Sequence, residues 1–192
     1  KRQTWGASGL AAVWAEENTR DSIFDAFRRK ETYATSGSRI KLRFFGGYDL
    51  DATMLEKEDL IKEAYRKGVP MGQDLAPSEG KAPSFLIWAM RDKNAAPLQR
   101  VQIIKGWVEQ TTGRPFEEVI DVACSDGLTP DPLTNRCPDN GALVDISDCS
   151  ISSDRGTNEI KTVWTDESFD SAVKSFYYVC LLYTSPSPRD RI

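Results

Sequence analysis

The chain of 192 residues contains no histidine at all. Without imidazole it cannot assemble a histidine-based metal centre, a Ser/His/Asp triad or a Cys/His pair, so most hydrolase chemistries are excluded for the chain by itself. Carboxylate-only chemistry is the exception. Paired Asp and Glu side chains can hydrolyse glycosides, and clustered carboxylates can bind a hard cation, without any imidazole.

Long apolar runs and an excess of basic residues are missing as well. No uninterrupted apolar segment approaches the roughly 20 residues that span a bilayer, so we expect no membrane span. No apolar leader follows Lys1, so we expect the natural N-terminus to lie upstream. The net charge of −4 and the pI near 5.0 lack the basic character that nucleic acids require, and we expect no nucleic-acid partner.

Segment 10–30 has the pattern of one strand followed by one helix. Residues 10–15 form a short apolar run that predicts a buried strand. Asn18 or Thr19 can cap the following helix, and Ile23, Phe24 and Phe27 give that helix an apolar face. The segment therefore predicts a single β/α unit.

Strand patterns dominate from residue 38 onward. Residues 39–45 alternate polar and apolar side chains, which predicts a half-buried strand, and 57–67 predicts a short helix. Further strands are predicted at 84–90, 100–108, 117–123, 160–164 and 175–179. We therefore predict an α+β chain in which a terminal β/α unit precedes an antiparallel, sandwich-like β domain.

The loop at 124–153 is rich in Asp, Asn, Gly and Ser and contains Cys124, Cys137 and Cys149. Their spacing differs from that of zinc knuckles, and zinc without histidine would require four sulfur ligands. We therefore predict disulfides, with the pairing open and free cysteines as the alternative. Disulfides in turn predict an extracytoplasmic location, either periplasmic or secreted.

The polar side chains of this loop lack the spacing of a calcium-binding EF-hand. We expect them to be solvated rather than to bind calcium. They are Asp126, Asp131, Asp139, Asn140, Asp145 and Asp148.

Glu16, Glu17, Asn18 and Arg20 are the candidate site residues, because they lie between a predicted strand and a helix, where β/α barrels place active-site groups. The competing interpretation is that the acids favour the helix dipole and pair with Arg20. A glycosidase pair is disfavoured, since adjacent residues of a strand point in opposite directions.

Five aromatic residues fall in predicted strands. Exposed in one row, they would bind a glycan, but inward-facing aromatic side chains form a core, and we expect the core. These residues are Trp88, Trp107, Trp164, Tyr177 and Tyr178.

Four stretches occur in an order that points to a known family. They are 13–20 (VWAEENTR), 33–37 (YATSG), 68–72 (GVPMG) and 102–107 (QIIKGW), supported by 121–125 (DVACS), 164–166 (WTD) and 176–179 (FYYV). In combination they resemble the domain-of-unknown-function 3604 family over most of the chain, as far as Val179. The sequence that follows departs from the family pattern, which argues against Cys180 as a disulfide partner.

The resemblance implies a longer protein whose N-terminal part is similar to PHP-type metal-dependent hydrolases, with His and Asp ligands on a distorted β/α barrel. In that case 1–37 would be the last strand–helix unit of the barrel, 38–179 a β-rich C-terminal domain and 180–192 an aberrant, disordered tail. Glu16, Glu17, Asn18 and Arg20 would then line the mouth of the site.

Two functions follow as expectations. The first is the C-terminal fragment of a PHP-like hydrolase, inert alone, with no cofactor of its own. The divalent metal would belong to the full-length protein, and the missing barrel portion would be the partner. The second is a non-catalytic, extracytoplasmic module that binds a glycan or another cell-envelope ligand through its β-sheets.

Overall fold

The computed structural model describes residues 9–78, 80–145, 147–148 and 150–184. Its helices are α1 (Arg20–Arg28), α2 (Leu60–Lys67) and a 3₁₀ helix (Ala52–Glu56). The strands of the first half are β1 (Leu10–Val13), β2 (Thr32–Thr35), β3 (Lys41–Gly47), β4 (Gly68–Pro70) and β5 (Ser84–Met90). Those of the second half are β6 (Leu98–Val108), β7 (Pro115–Cys124), β8 (Val144–Asp145), β9 (Ser150–Ile151), β10 (Glu159–Thr165) and β11 (Ser175–Tyr183).

Every paired strand in these described ranges is antiparallel. One sheet has the order β10-β5-β3-β4 and a second has the order β11-β6-β7, while β1 pairs with β2 and β8 with β9. Phe44 and Ile87 of the first sheet share one core with Val101 and Ile103 of the second. The two larger sheets therefore pack face to face, and the prediction of a β-rich, antiparallel chain is confirmed.

The outer face of the four-stranded sheet is covered by helices. Because side chains alternate along a strand, Phe45 and Leu86 point away from their neighbours Phe44 and Ile87. They form a second core with Leu50, Met54, Leu60 and Ala64, which belong to the 3₁₀ helix, α2 and the turn before them. The sandwich region is thus layered as helix, sheet and sheet.

The strand–helix unit, which we define as residues 9–35, comprises β1, α1 and β2. Thr19 caps α1, with its hydroxyl oxygen accepting a hydrogen bond from the Ser22 backbone N–H at 3.3 Å. Ala26 is the buried residue of α1, whereas Phe24 is 58% exposed and Phe27 is 50% exposed. Much of the apolar face of this helix is therefore uncovered by the described chain.

The C-terminal strand corrects one expectation. A tail is expected from Cys180 onward, but β11 continues to Tyr183. The continuation is stabilised because Leu181 and Tyr183 pack against the core between the two sheets. The rest of the expected tail, 185–192, lies outside the described residues.

Other boundaries differ only slightly from the predictions. The strand predicted at 84–90 has those limits, and α2 begins three residues later than the predicted start at 57. No helix among the described residues has the length and apolar character needed to cross a bilayer.

Candidate functional site

A pocket of about 670 Å³ opens between the loop at 71–77 and the loop at 169–174. Its volume falls within the range of roughly 300–1,000 Å³ that is usual for small-molecule sites. Phe44 and Phe85 line its base, and Asp74 and Lys174 line it from opposite loops. These two side chains carry opposite charges, so the lining has no net charge.

Aromatic rings form the base of the pocket. The ring centroid of Phe85 lies 4.4 Å from that of Tyr177, 5.6 Å from that of Phe44 and 6.0 Å from that of Trp164. A Cβ atom at Gly46 would come within 3.3 Å of the Phe85 ring. Glycine at this position therefore keeps the space above the Phe85 ring open.

A buried polar network lies behind Tyr177. The Asp166 carboxylate accepts a hydrogen bond from the Tyr177 hydroxyl at 2.7 Å and forms an ion pair with the Lys105 ammonium at 2.6 Å. Its other oxygen accepts a hydrogen bond from the Ser168 hydroxyl at 2.7 Å. Both Asp166 and Lys105 are buried, so each charge depends on the other for compensation.

The protonation states of this network follow from its contacts. Burial raises the pKa of Asp166, but hydrogen bonds from Lys105, Tyr177 and Ser168 outweigh it and hold that pKa below its usual range. The pKa of Tyr177 is raised, first by burial and then by the hydrogen bond to Asp166. The network therefore keeps the Asp166 carboxylate and the neutral Tyr177 phenol in place and supports the Tyr177 ring at the pocket.

The four candidate residues predicted from the sequence lie elsewhere. Glu16, Glu17 and Asn18 belong to the exposed loop between β1 and α1, and Arg20 is the exposed first residue of α1. None of the four lines the pocket. Within the described part of the chain, no three His, Cys, Asp or Glu side chains are placed to hold a metal ion together.

Residues 1–191 match the family model described as Protein of unknown function (DUF3604). The chain belongs to the DUF3604 family. No curated protein and no solved structure matches it. The match confirms the family resemblance, and the implied relation of DUF3604 to PHP-type hydrolases stays a prediction.

A second polar cluster of the DUF3604 chain joins the strand–helix unit to the four-stranded sheet. The Arg43 guanidinium lies 3.4 Å from the centroid of the Trp14 ring and donates hydrogen bonds to Glu31 at 3.2 Å and Tyr65 at 3.0 Å. Tyr65 also donates to buried Glu31, and the Trp14 indole N–H donates to the Leu42 carbonyl at 2.8 Å. This cluster, the Arg43 cluster, fixes the unit against the sheet.

Sequence patterns do not identify the Arg43 cluster, because its members are far apart along the chain. The one available signal is that Arg43 occupies a polar position in an alternating strand and therefore faces away from the core between the sheets. A further contact is also non-local, since the Gln73 amide donates to the Arg29 carbonyl at 2.5 Å.

Among the described residues of the DUF3604 chain, one disulfide joins Cys124 to Cys137, with 5.7 Å between their Cα atoms. The prediction of a disulfide is thereby confirmed. Behind it, the buried Asp121 carboxylate accepts hydrogen bonds from Arg100 at 3.0 Å, from Gln102 at 2.6 Å and from the Cys137 backbone N–H at 2.7 Å. The base of the loop is therefore held both covalently and by hydrogen bonds.

Four of the other loop carboxylates cap turns of their own backbone. Asp131, Asp139, Asp145 and Asp148 each accept a hydrogen bond from the backbone N–H two residues further on, at 2.7–3.0 Å. This arrangement is typical of Asx turns and agrees with a polar loop. Cys149, the third disulfide candidate, lies outside the described residues.

The three tryptophans considered for glycan binding are all half-buried and have different surroundings. Trp88 packs against the helix-side core, and Trp164 packs against the core between the sheets. Trp107 stacks on Phe116 at 5.6 Å between ring centroids. They do not form one exposed row, so aromatic exposure near the pocket depends on other residues, such as Phe176, which is 59% exposed.

Proposed function

We propose that this DUF3604 chain is the β-rich C-terminal part of a PHP-like, metal-dependent hydrolase and that it supports a catalytic site built by another part of the same protein. In this proposal residues 1–37 complete a barrel and 38–179 form a separate domain. Glu16, Glu17, Asn18 and Arg20 lie at the mouth of the site. The divalent metal belongs to the full-length protein.

The observation that carries the proposal is the uncovered apolar face of α1. The side chains of Phe24 and Phe27 are exposed to solvent on a nine-residue helix. An exposed apolar patch of this kind is typical of an interaction surface. Among the described strands, β1 pairs only with β2, so its second edge is also available. A further β/α unit could therefore pair its strand with the edge of β1 and pack its helix against the exposed face of α1.

The Arg43 cluster gives the unit a defined orientation. The Arg43 guanidinium pairs with the buried Glu31 carboxylate, and because it is stacked on Trp14 its geometry is restricted. A unit held in this way can present its exposed face to a neighbouring domain without reorganising. The described residues of the chain do not fit a metal centre of their own, because the sequence has no histidine and the described carboxylates do not converge.

The test compares the full-length protein with this chain. Full-length protein supplied with manganese or zinc should hydrolyse phosphoesters, and the isolated chain should not. Hydrolysis by the isolated chain, or a full-length protein without bound metal or activity, would refute the proposal.

A pair of variants tests the docking face itself. Replacing both Phe24 and Phe27 with Asp should lower the unfolding temperature of the full-length protein by several degrees and leave that of the isolated chain nearly unchanged. Phe116→Asp is the matched control, because Phe116 is a comparably exposed aromatic residue on β7. Equal effects of the two changes on the full-length protein would show that α1 is not the docking face.

We also propose an extracytoplasmic location, supported by the Cys124–Cys137 disulfide, since cytosolic thiols are kept reduced. The test is to alkylate free thiols in intact cells before lysis and then to locate the unmodified cysteines by mass spectrometry. Full alkylation of both cysteines in the native host would count against this location.

A second function is supported by the pocket. An aromatic base, a lining without net charge and a volume suited to a small molecule favour an uncharged ring-bearing ligand such as a sugar unit of a glycan. This function is tested by titrating the chain with neutral mono- and disaccharides while monitoring the amide chemical shifts of residues 71–77 and 169–174. Binding in the pocket should change these shifts. Gly46→Val should abolish the shifts by filling the pocket, and shifts that persist in this variant would place binding elsewhere.

A further inference from the structure

The outer strand β11 has an unusual composition for a sheet edge. Its nine residues, SFYYVCLLY, include no charged side chain and no proline. Among the described strands it pairs only with β6. A long, uncharged edge is a template on which another strand can pair.

The other three outer strands of the two large sheets carry features that hinder pairing. On β7, Pro115 lacks a backbone N–H and is followed by Glu117 and Glu118. The exposed residues Glu159 and Lys161 place charges on β10. The last edge, β4, has only three residues and ends in Pro70. Of the outer strands that the structure describes, β11 is therefore the one best suited to pair with a further strand.

The outer face of β11 adds apolar area beside that edge. Phe176 and Tyr178 lie on this face, 59% and 47% exposed, and their rings stack at 6.3 Å between centroids. The Phe176 ring lies across Gly106 of β6, where any Cβ atom would collide with it. The two rings therefore form a flat apolar strip along the open edge.

We propose that β11 pairs antiparallel with β11 of a second copy of this chain, joining the two three-stranded sheets into one continuous sheet. Because the two copies are related by a twofold axis, each contributes the same surface to the contact, and the assembly is a closed dimer. Phe176 and Tyr178 of both copies then share one face. The inference does not depend on the hydrolase proposal.

Charge selects the antiparallel arrangement. Lys174 immediately precedes β11. In antiparallel pairing the two Lys174 side chains stand at opposite ends of a nine-residue strand, roughly 30 Å apart at about 3.4 Å per residue. This separation is about three times the Debye length of ~10 Å at 0.1 M salt, so their repulsion is screened. Parallel pairing would place the two ammonium groups side by side.

The test is the association state of the full chain. Sedimentation velocity over a concentration series should show a monomer–dimer equilibrium. Amide hydrogen exchange in β11 should slow as the concentration rises, while exchange in β7 stays constant. This second measurement requires no variant and reports directly on the strand that pairs.

Tyr178→Lys tests the edge itself, because Tyr178 lies one residue from the centre of β11 and the two introduced lysines would be diagonal neighbours across the twofold axis. The dissociation constant should rise at least about tenfold, which corresponds to 1.4 kcal/mol. Phe116→Lys is the matched control, since it adds the same charge at an aromatic residue of similar exposure on the other edge, and it should leave dimerisation unchanged.

Three outcomes would overturn the proposal. They are a chain that remains monomeric at every concentration, a dimer that tolerates Tyr178→Lys, and a dimer that is lost in Phe116→Lys. The last would indicate head-to-tail pairing of β11 with β7. Concentration-dependent protection confined to β11 would support twofold pairing even if Tyr178→Lys folds poorly.

Discussion

The two-sheet sandwich and the strand–helix unit are stabilised in different ways. In the sandwich, Ile87, Leu98, Val101 and Ile103 are fully buried between the two sheets. In the unit, α1 buries one alanine and leaves its phenylalanines half exposed. Polar contacts around Arg43 and the packing of Tyr33 against the core between the sheets attach the unit, whereas the sandwich is formed mainly by apolar burial.

The two regions are therefore specified by different kinds of interaction. Apolar burial is non-directional and proportional to area, so it stabilises the sandwich without depending on any single contact. Ion pairs and hydrogen bonds are directional, and they orient the unit while leaving its apolar face uncovered.

Truncation of an aromatic side chain should be costly in the sandwich and nearly neutral on α1. Phe85→Ala should lower the free energy of unfolding by about 3–5 kcal/mol, because the Phe85 ring contacts three other aromatic rings. Phe27→Ala, with the same change in chemistry, should alter it by less than about 0.5 kcal/mol. Urea unfolding of the isolated chain measures both. Similar losses would mean that α1 packs in solution against something in this chain.

Removal of the buried carboxylate should also destabilise the sandwich strongly. Asp166→Ala leaves the buried Lys105 ammonium without its counter-ion and should cost about 3–5 kcal/mol. Lys105→Met combined with Asp166→Leu replaces the pair with apolar groups and should recover much of this loss, since paired removal leaves no buried charge. If the double variant does not recover stability, the ion pair makes a net stabilising contribution beyond the mutual compensation of its two charges.

The same carboxylate predicts an acid-dependent loss of stability. The folded pKa of Asp166 lies below its unfolded value of about 3.9, so its contribution is present above that pH and is lost as the pH falls through the folded pKa. Unfolding free energies measured from pH 6 down to pH 2 should therefore fall less steeply for Asp166→Asn than for the unmodified chain. Parallel curves would rule out Asp166 as a source of the acid dependence.

Reduction of the Cys124–Cys137 disulfide should lower the free energy of unfolding by about 3 kcal/mol, because the bond closes a short loop in the unfolded chain. The effect should be largest in amide exchange near Asp121, whose carboxylate contacts the Cys137 backbone. A variant with both cysteines replaced by serine is the control. It should match the reduced protein, and adding reductant should not destabilise it further.

Several elements of the fold, in the sandwich and in the strand–helix unit, can be predicted from the sequence because their signals are local. Residues 84–90 are apolar and bounded by turn residues, and β5 occupies this range. Thr19 precedes the apolar positions of α1 and caps it as expected of a small hydroxyl residue. The strand Gly68–Pro70 is different, since glycine and proline suggest a turn, and only its pairing with β3 makes it a strand.

The pocket and the Arg43 cluster could not be predicted in the same way. The two loops that line the pocket are almost a hundred residues apart in the chain, and no periodicity records their proximity. Glu31 and Tyr65 are likewise 34 residues apart, yet they share a hydrogen bond. The predicted site at Glu16 and Glu17 rests on local position alone, whereas the cluster beside it depends on long-range pairing.

The smallest effect should separate the attachment of the unit from the stability of the sandwich. Arg43→Lys keeps the positive charge but loses the planar stacking on Trp14 and one of the hydrogen bonds, at a cost of about 1–2 kcal/mol. Amide exchange should accelerate in β1 and β2, while β5 and β6 keep their protection.

Arg66→Lys is the control for Arg43→Lys, because Arg66 pairs with Glu63 on the exposed surface of α2, where an ion pair contributes about 0–1 kcal/mol. Exchange that accelerates equally in all strands after Arg43→Lys would mean that unit and sandwich unfold together. Exchange confined to β1 and β2 would establish that a polar cluster, rather than a shared apolar core, holds the unit in place.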